Sequence, residues 1–182
     1  MVQTAVPGQD TRFATNTFIN FGIEFGLSLL VSGLLARWYV WPFLCAQPFS
    51  QALLILLVPF LPRYLGLMSL VPGVVDPAVT QSAFARFQAY GDLAGFALAL
   101  IAFVLLHFRH RRALTAAWIF NVFGSLDFLH SVLRGALEGT GGRLGAFWYI
   151  PVCYVPLGLV THFMIFQLLV TRSREYEPRP AN

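Results

Sequence analysis

Asp127, His130, Ser131 and Arg134 are spaced i, i+3, i+4 and i+7. On an α-helix that spacing places a carboxylate, an imidazole, a hydroxyl and a guanidinium along one face. A carboxylate one turn from an imidazole favours the charged ring while burial opposes it, so such a pair can hold or pass a proton if water reaches it. The same two groups are the candidate acid and base of an enzymatic reading. Three further charges lie inside apolar stretches: Glu24, Arg63 and Asp92. Charges at membrane depth cost several kcal/mol unless paired or hydrated, so these side chains must converge on one another or on a cavity. Glu24, Arg63, Asp92, Asp127 and His130 are therefore the candidate polar pocket. Asn121 and His162 form a second candidate pair, hydrogen-bonded across two helices nearer the opposite leaflet.

The acids outnumber the deeply placed cation, so the charges do not cancel one for one. A surplus carboxylate has to be protonated, solvated or paired elsewhere, for instance with Arg134. The sequence Val58-Pro59-Phe60-Leu61-Pro62-Arg63-Tyr64 adds two prolines three apart, which frees backbone carbonyls beside the buried arginine. Interrupted helices at membrane depth often line binding sites. The competing structural reading makes the acids no more than counter-ions that hold a bundle around Arg63.

Other chemistries fit less well. A bis-histidine haem needs two imidazoles at matching depth, and His130 and His162 differ by about 14 Å at ~1.5 Å per residue. His107 with His162 is the closest alternative. Asp92, Asp127 and His130 would offer hard oxygen and nitrogen ligands to a metal, but without a ligand repeat of H-x-x-x-H type no metal is assigned. The glycine run at 138–143 lacks the phosphate-binding spacing and follows no strand, and no P-loop or nucleophile elbow is present. Cys45 and Cys153 suggest neither a disulfide framework nor a redox pair. No cofactor is assigned, and whether the chain is an enzyme stays open.

The elements that carry these residues follow from composition. The chain has 182 residues, 57% hydrophobic and 11% charged, with a mean hydropathy of +0.68. A soluble domain carries about 25% charged residues. The apolar residues come in blocks near the ~20 residues a helix needs to cross the hydrocarbon core. The blocks predict an all-α polytopic bundle of about five transmembrane helices in one domain, with spans at 17–35, 51–75, 90–108, 114–137 and 146–170. An interfacial aromatic cluster at 37–42 separates the first two, and the tail at 172–182 reads as disordered. Residues 1–16 lack the basic region of a cleaved signal peptide. Packing is signalled by Gly22-x-x-x-Gly26 and Gly91-x-x-x-Gly95, each of which lets another helix approach closely.

All twelve basic residues are arginine. Seven flank one side of the spans (Arg37, Arg109, Arg111, Arg112, Arg172, Arg174, Arg179) and four the other (Arg12, Arg86, Arg134, Arg143). The positive-inside rule then places the N-terminus outside and the C-terminus in the cytoplasm. The arginines cap apolar segments and form no soluble basic face, which argues against nucleic acid. The partners expected are the lipid bilayer and either further copies of the chain or a larger membrane complex.

The strings Arg63-Tyr64-Leu65-Gly66-Leu67, Val71-Pro72-Gly73, Ala89-Tyr90-Gly91-Asp92-Leu93 and Asn121-Val122-Phe123-Gly124 resemble those of small bacterial multi-pass membrane proteins usually left uncharacterised. The resemblance covers about residues 55–170. It implies the bacterial inner (cytoplasmic) membrane and carries no activity. The opening of the second span is also similar to small four-helix DoxX-type proteins, from which five spans depart. Three functional readings follow: a bundle with an outward-facing polar pocket that binds a small or lipophilic ligand or relays protons, an accessory subunit of a larger complex, and a membrane-embedded enzyme acting on a lipid or quinone. A cavity open outward between spans two, three and four, with Arg63 at its floor, would favour the first or the third.

Overall fold

A computed structural model describes residues 9–179 of the chain. Among them the fold is all-helical, with five segments long and apolar enough to cross a membrane: Asn16–Cys45, Phe49–Leu70, Ala83–His107, Ala113–Leu137 and Gly145–Glu175. Large apolar side chains such as Phe18, Phe87, Ile119, Leu133, Phe163 and Val170 point outward along these segments. In water that surface would be untenable, and lipid is its natural solvent.

The first span is longer than the blocks predict. Its α-helix, Gln9–Leu35, continues through a π-helical turn, Ala36–Val40, into Trp41–Cys45. The aromatic cluster at 37–42 is therefore inside the helix and not a connection. Pro42 has no N–H to give, and a widened turn just before it lets the helix run on past the missing bond. The third helix likewise begins at Ala83, earlier than residue 90, because Ser82 caps it by accepting the Ala85 N–H at 3.0 Å.

The second span changes helix type. Phe49–Leu57 is α-helical and Val58–Leu70 is a 3₁₀-helix of 13 residues. Runs of that length are uncommon because the hydrogen bonds are poorer. Here Pro59 and Pro62 remove two donors from the α ladder, and the tighter winding is what remains. A 3₁₀-helix has three residues per turn, so its inward face repeats every third position. The buried residues are Phe60, Arg63, Gly66 and Ser69, a stripe of period three. Sequence reading on a 3.6 period scatters these four around the helix. At three per turn they form a single line facing the third span.

The connections are ordered. Asp76 accepts the Ala78 N–H at 2.8 Å and donates its own N–H to the Arg143 carbonyl at 3.0 Å, joining the two loops at one end of the bundle. Val75, Val79, Ala85, Leu144 and Phe147 form a small apolar core beneath them. At the other end the residues expected to be disordered from 172 onward are fixed as far as 179. Arg172 bonds the carbonyls of Leu44 and Gln47 at 3.3 and 3.0 Å and pairs with Glu175 at 2.8 Å. The Tyr176 hydroxyl donates to the His110 carbonyl at 2.9 Å. These bonds pin the segment to the turns that follow the first and third spans, which composition alone did not reveal. Residues 180–182, and residues 1–8 of the polar N-terminal stretch, lie outside the described residues.

Candidate functional site: a buried charge network beside a cavity

Arg63 is 2% exposed. Its Nε donates to Asp92 Oδ1 at 2.9 Å, and Nη2 forms a short ion pair with Asp127 Oδ2. The three groups sit level with one another. Arg63 is seven residues from the end of its 3₁₀ segment at Leu70, about 14 Å at ~2.0 Å per residue. Asp92 is nine residues from Ala83 and Asp127 ten from Leu137, about 14 and 15 Å at ~1.5 Å per residue. Three helices thus deliver one cation and two anions to one depth. The guanidinium carbon also stands 4.0 Å from the centre of the Phe128 ring, which favours a desolvated cation.

Glycines make room for every member of this network. A Cβ on Gly66 would strike the Asp92 carboxylate, and one on Gly91 the Asp127 carboxylate. One on Gly95 would stand 2.8 Å from Arg63 Nε, and one on Gly158 would enter the Phe128 ring. Gly91-x-x-x-Gly95 is therefore a cradle for charged side chains, not merely a helix contact. By contrast Gly22 and Gly26 have nothing within 4 Å of the position a Cβ would take.

A second polar pair lies deeper. His162 Nδ1 is 2.6 Å from Asn121 Oδ1, and Asn121 Nδ2 donates to the His162 carbonyl at 3.1 Å. That amide bond orients Asn121, so its Oδ1 must accept and Nδ1 must carry the proton. In the neutral ring Nε2 is then an acceptor. Nε2 and Arg63 Nη1 are both buried without a protein partner among the described residues. They would lie 2.7 and 3.1 Å from a Cβ on Gly124. An acceptor and a donor therefore face each other across Gly124, less than about 6 Å apart, a gap one water can bridge. Phe60 and Phe120 pack on the His162 ring at 4.3 and 5.3 Å and close the network on its deep side.

The remaining candidates fall elsewhere. Glu24 is exposed on the first span and accepts from Trp148 Nε1 at 2.5 Å. His130 faces outward, its ring 4.7 Å from Phe87. Arg134 pairs with Glu138 at 2.7 Å, largely exposed. Of the stripe at 127–134 only Asp127 and Ser131 face inward. Sequence reading missed Tyr154. In a 3₁₀ ladder the N–H of residue 62 would serve the carbonyl of residue 59, but residue 62 is proline. The Tyr154 hydroxyl donates to that Pro59 carbonyl at 2.7 Å instead. Two prolines three apart beside a buried charge were the available signal: a carbonyl so freed needs an outside donor. Tyr154→Phe should therefore cost about 1–3 kcal/mol of stability in the native chain. In a Pro62→Ala background, where a backbone N–H returns, the cost should shrink, and a double-mutant cycle on thermal melts reads the difference. Equal costs in both backgrounds would contradict this account of Tyr154.

Two cavities adjoin, and the inner one reaches the network. The inner one, about 150 Å³, is lined by Arg63, Gly66, Gln88, Asp92, Ser131 and Tyr154 among others. The outer one, about 410 Å³, includes Phe18, Phe21, Phe84, Phe147, Thr140 and Arg143 in its walls. Gln88, Ser131 and Val155 belong to both. The expected cavity between spans two, three and four is thus also walled by the first and fifth. Five apolar spans around a buried Arg63–Asp92–Asp127 network define a polytopic helical membrane protein. The chain belongs to the family described as Domain of unknown function (DUF8737), whose model matches residues 20–170. No curated protein and no solved structure matches it.

Proposed function

We propose that this protein binds a small lipophilic ligand in an outward-facing pocket within the membrane, with the Arg63–Asp92–Asp127 network as the polar floor. The observation that carries the reading is the pair of adjoining cavities, one apolar and one ending on Arg63 and Asp92. Binding sites for small molecules are of this kind: mostly apolar walls with a few placed polar groups. The network holds two carboxylates against one guanidinium, so a proton or a cation completes its charge balance. The arginine asymmetry supports an outer mouth at the loops 71–82 and 138–144, and the resemblance to small bacterial multi-pass proteins supports the bacterial inner membrane as the location.

The test is native mass spectrometry of the purified protein. Wild-type protein should carry a lipophilic adduct. Gly135→Phe should lose it while staying within about 1 kcal/mol of wild-type stability, because Gly135 lines the outer cavity two helical turns from Asp127 and touches no member of the buried network. A bare wild-type protein, or an adduct kept by Gly135→Phe, would count against the pocket.

A second reading, an accessory subunit, is favoured by one observation. No residue in the most apolar stretch of the first span is buried, and Gly22, Gly26 and Gly33 lie within about 40° of one another on its surface. The enzyme reading draws no such support. Asp127 is bound to Arg63, and His130 faces away from the cavities.

A further inference from the structure

The inner cavity presents polar groups that the protein itself does not use. Asp92 is 6% exposed, and only its Oδ1 is bonded to Arg63. Oδ2 has no protein partner among the described residues and lies against Gly66, which lines the cavity. Gln88 and Ser131, the polar residues common to both cavities, form no side-chain hydrogen bond among the described residues. A carboxylate oxygen, an amide carbonyl and a hydroxyl are three acceptors. An ammonium group is three donors with no acceptor. With both carboxylates ionised, the Arg63–Asp92–Asp127 network carries one more negative than positive charge, and buried carboxylates without full compensation favour a cation. The outer cavity adds the rings of Phe18, Phe21, Phe84 and Phe147, suited to an apolar body, with Arg143 in its wall as a cation that a charged head must pass.

We propose that the pocket selects a single-chain primary amine: an ammonium head held by Asp92 Oδ2, Gln88 and Ser131, and an apolar tail in the outer cavity. This rests on the pocket reading and narrows it to a class of ligand. Charge sets the preference among heads. An alcohol satisfies fewer of the acceptors and leaves the surplus charge. A carboxylate would place a third anion beside two. An ethanolamine phospholipid carries its ammonium next to a phosphate, which would be driven against the same acids. Its two acyl chains also exceed a cavity of about 410 Å³.

The experiment is equilibrium dialysis of radiolabelled decylammonium, decanol and decanoate against the full chain in phosphatidylcholine nanodiscs, with empty nanodiscs subtracted. Decylammonium should bind saturably, decanol at least about tenfold more weakly, and decanoate not at all. Ser131→Ala and Gln88→Leu should each weaken decylammonium about tenfold and decanol by less, so that the preference for the amine narrows. Asp127→Asn, which removes the surplus charge while keeping the shape, should abolish the preference for the amine. Added phosphatidylethanolamine should not displace decylammonium; displacement would assign the site to the lipid headgroup and overturn the proposal. Equal binding of amine and alcohol would overturn the amine selectivity and leave the pocket standing. Saturable binding of none of the three would overturn both.

Discussion

Replacing Arg63 with leucine should abolish folded yield. The substitution leaves Asp92 and Asp127 facing each other in a low-dielectric site with no cation between them. Removing one partner of a buried ion pair costs about 3–5 kcal/mol, because the survivor keeps its desolvation penalty without compensation. Here two survivors remain, and a whole domain is stable by only about 5–15 kcal/mol. Restoration is the more informative half. Arg63→Leu combined with Asp92→Asn and Asp127→Asn has no buried charge left to compensate and should recover much of the monodisperse protein. Yield and dispersity of detergent-solubilised protein on a sizing column read both outcomes. A single Arg63→Leu variant that folds at wild-type yield would mean the network contributes little to the fold.

The second large effect concerns glycine. Gly95→Ala would place a methyl group 2.8 Å from Arg63 Nε and 2.9 Å from Cζ, closer than real contacts allow. The guanidinium cannot move aside without giving up Asp92 or Asp127, so the loss should approach that of breaking an ion pair, about 3 kcal/mol or more. Gly91→Ala should behave alike, since its methyl would meet the Asp127 carboxylate. Gly26→Ala carries the same sequence signature, meets nothing, and removes a weak helix former, so its melting temperature should hold or rise. Thermal melts of the three variants decide the matter. If all three melt alike, the cradle is not what the glycines provide.

These two contrasts also mark how far the sequence could be read. The five spans were legible because hydrophobic length is a property of composition, and so was the pairing of Arg63 with intramembrane acids, though the sequence offered Glu24 beside Asp92 and Asp127 and did not choose among them. The rotation of each helix was not. On the fourth span the buried residues Ala117, Phe120, Gly124, Asp127 and Phe128 share one arc. At about 100° per residue Asp127 stands at its edge, and His130 falls about 60° beyond that edge. A stripe drawn through Asp127 therefore took in the wrong neighbours. Glu24 was placed by depth alone, and depth does not say that the first span packs loosely and offers its acid to Trp148. The stripe Phe60, Arg63, Gly66 and Ser69 was visible as spacing, but only a three-residue turn gives it meaning, and the prolines were the sole hint of that turn. Tyr154 follows from the same hint.

The central claim is that a cavity opens from the outer side onto Ser131 and ends at Arg63. Cysteine labelling in intact cells tests it most directly, in a chain with Cys45 and Cys153, both exposed, replaced by alanine. Ser131→Cys lies on the wall common to both cavities, and Ala99→Cys, at a position fully buried in the core, serves as the control. A membrane-impermeant cationic methanethiosulfonate added from outside should modify the cysteine at 131 and not the one at 99. Failure to label position 131 from outside, with labelling only after the inner face is exposed or not at all, would contradict the outward-facing pocket.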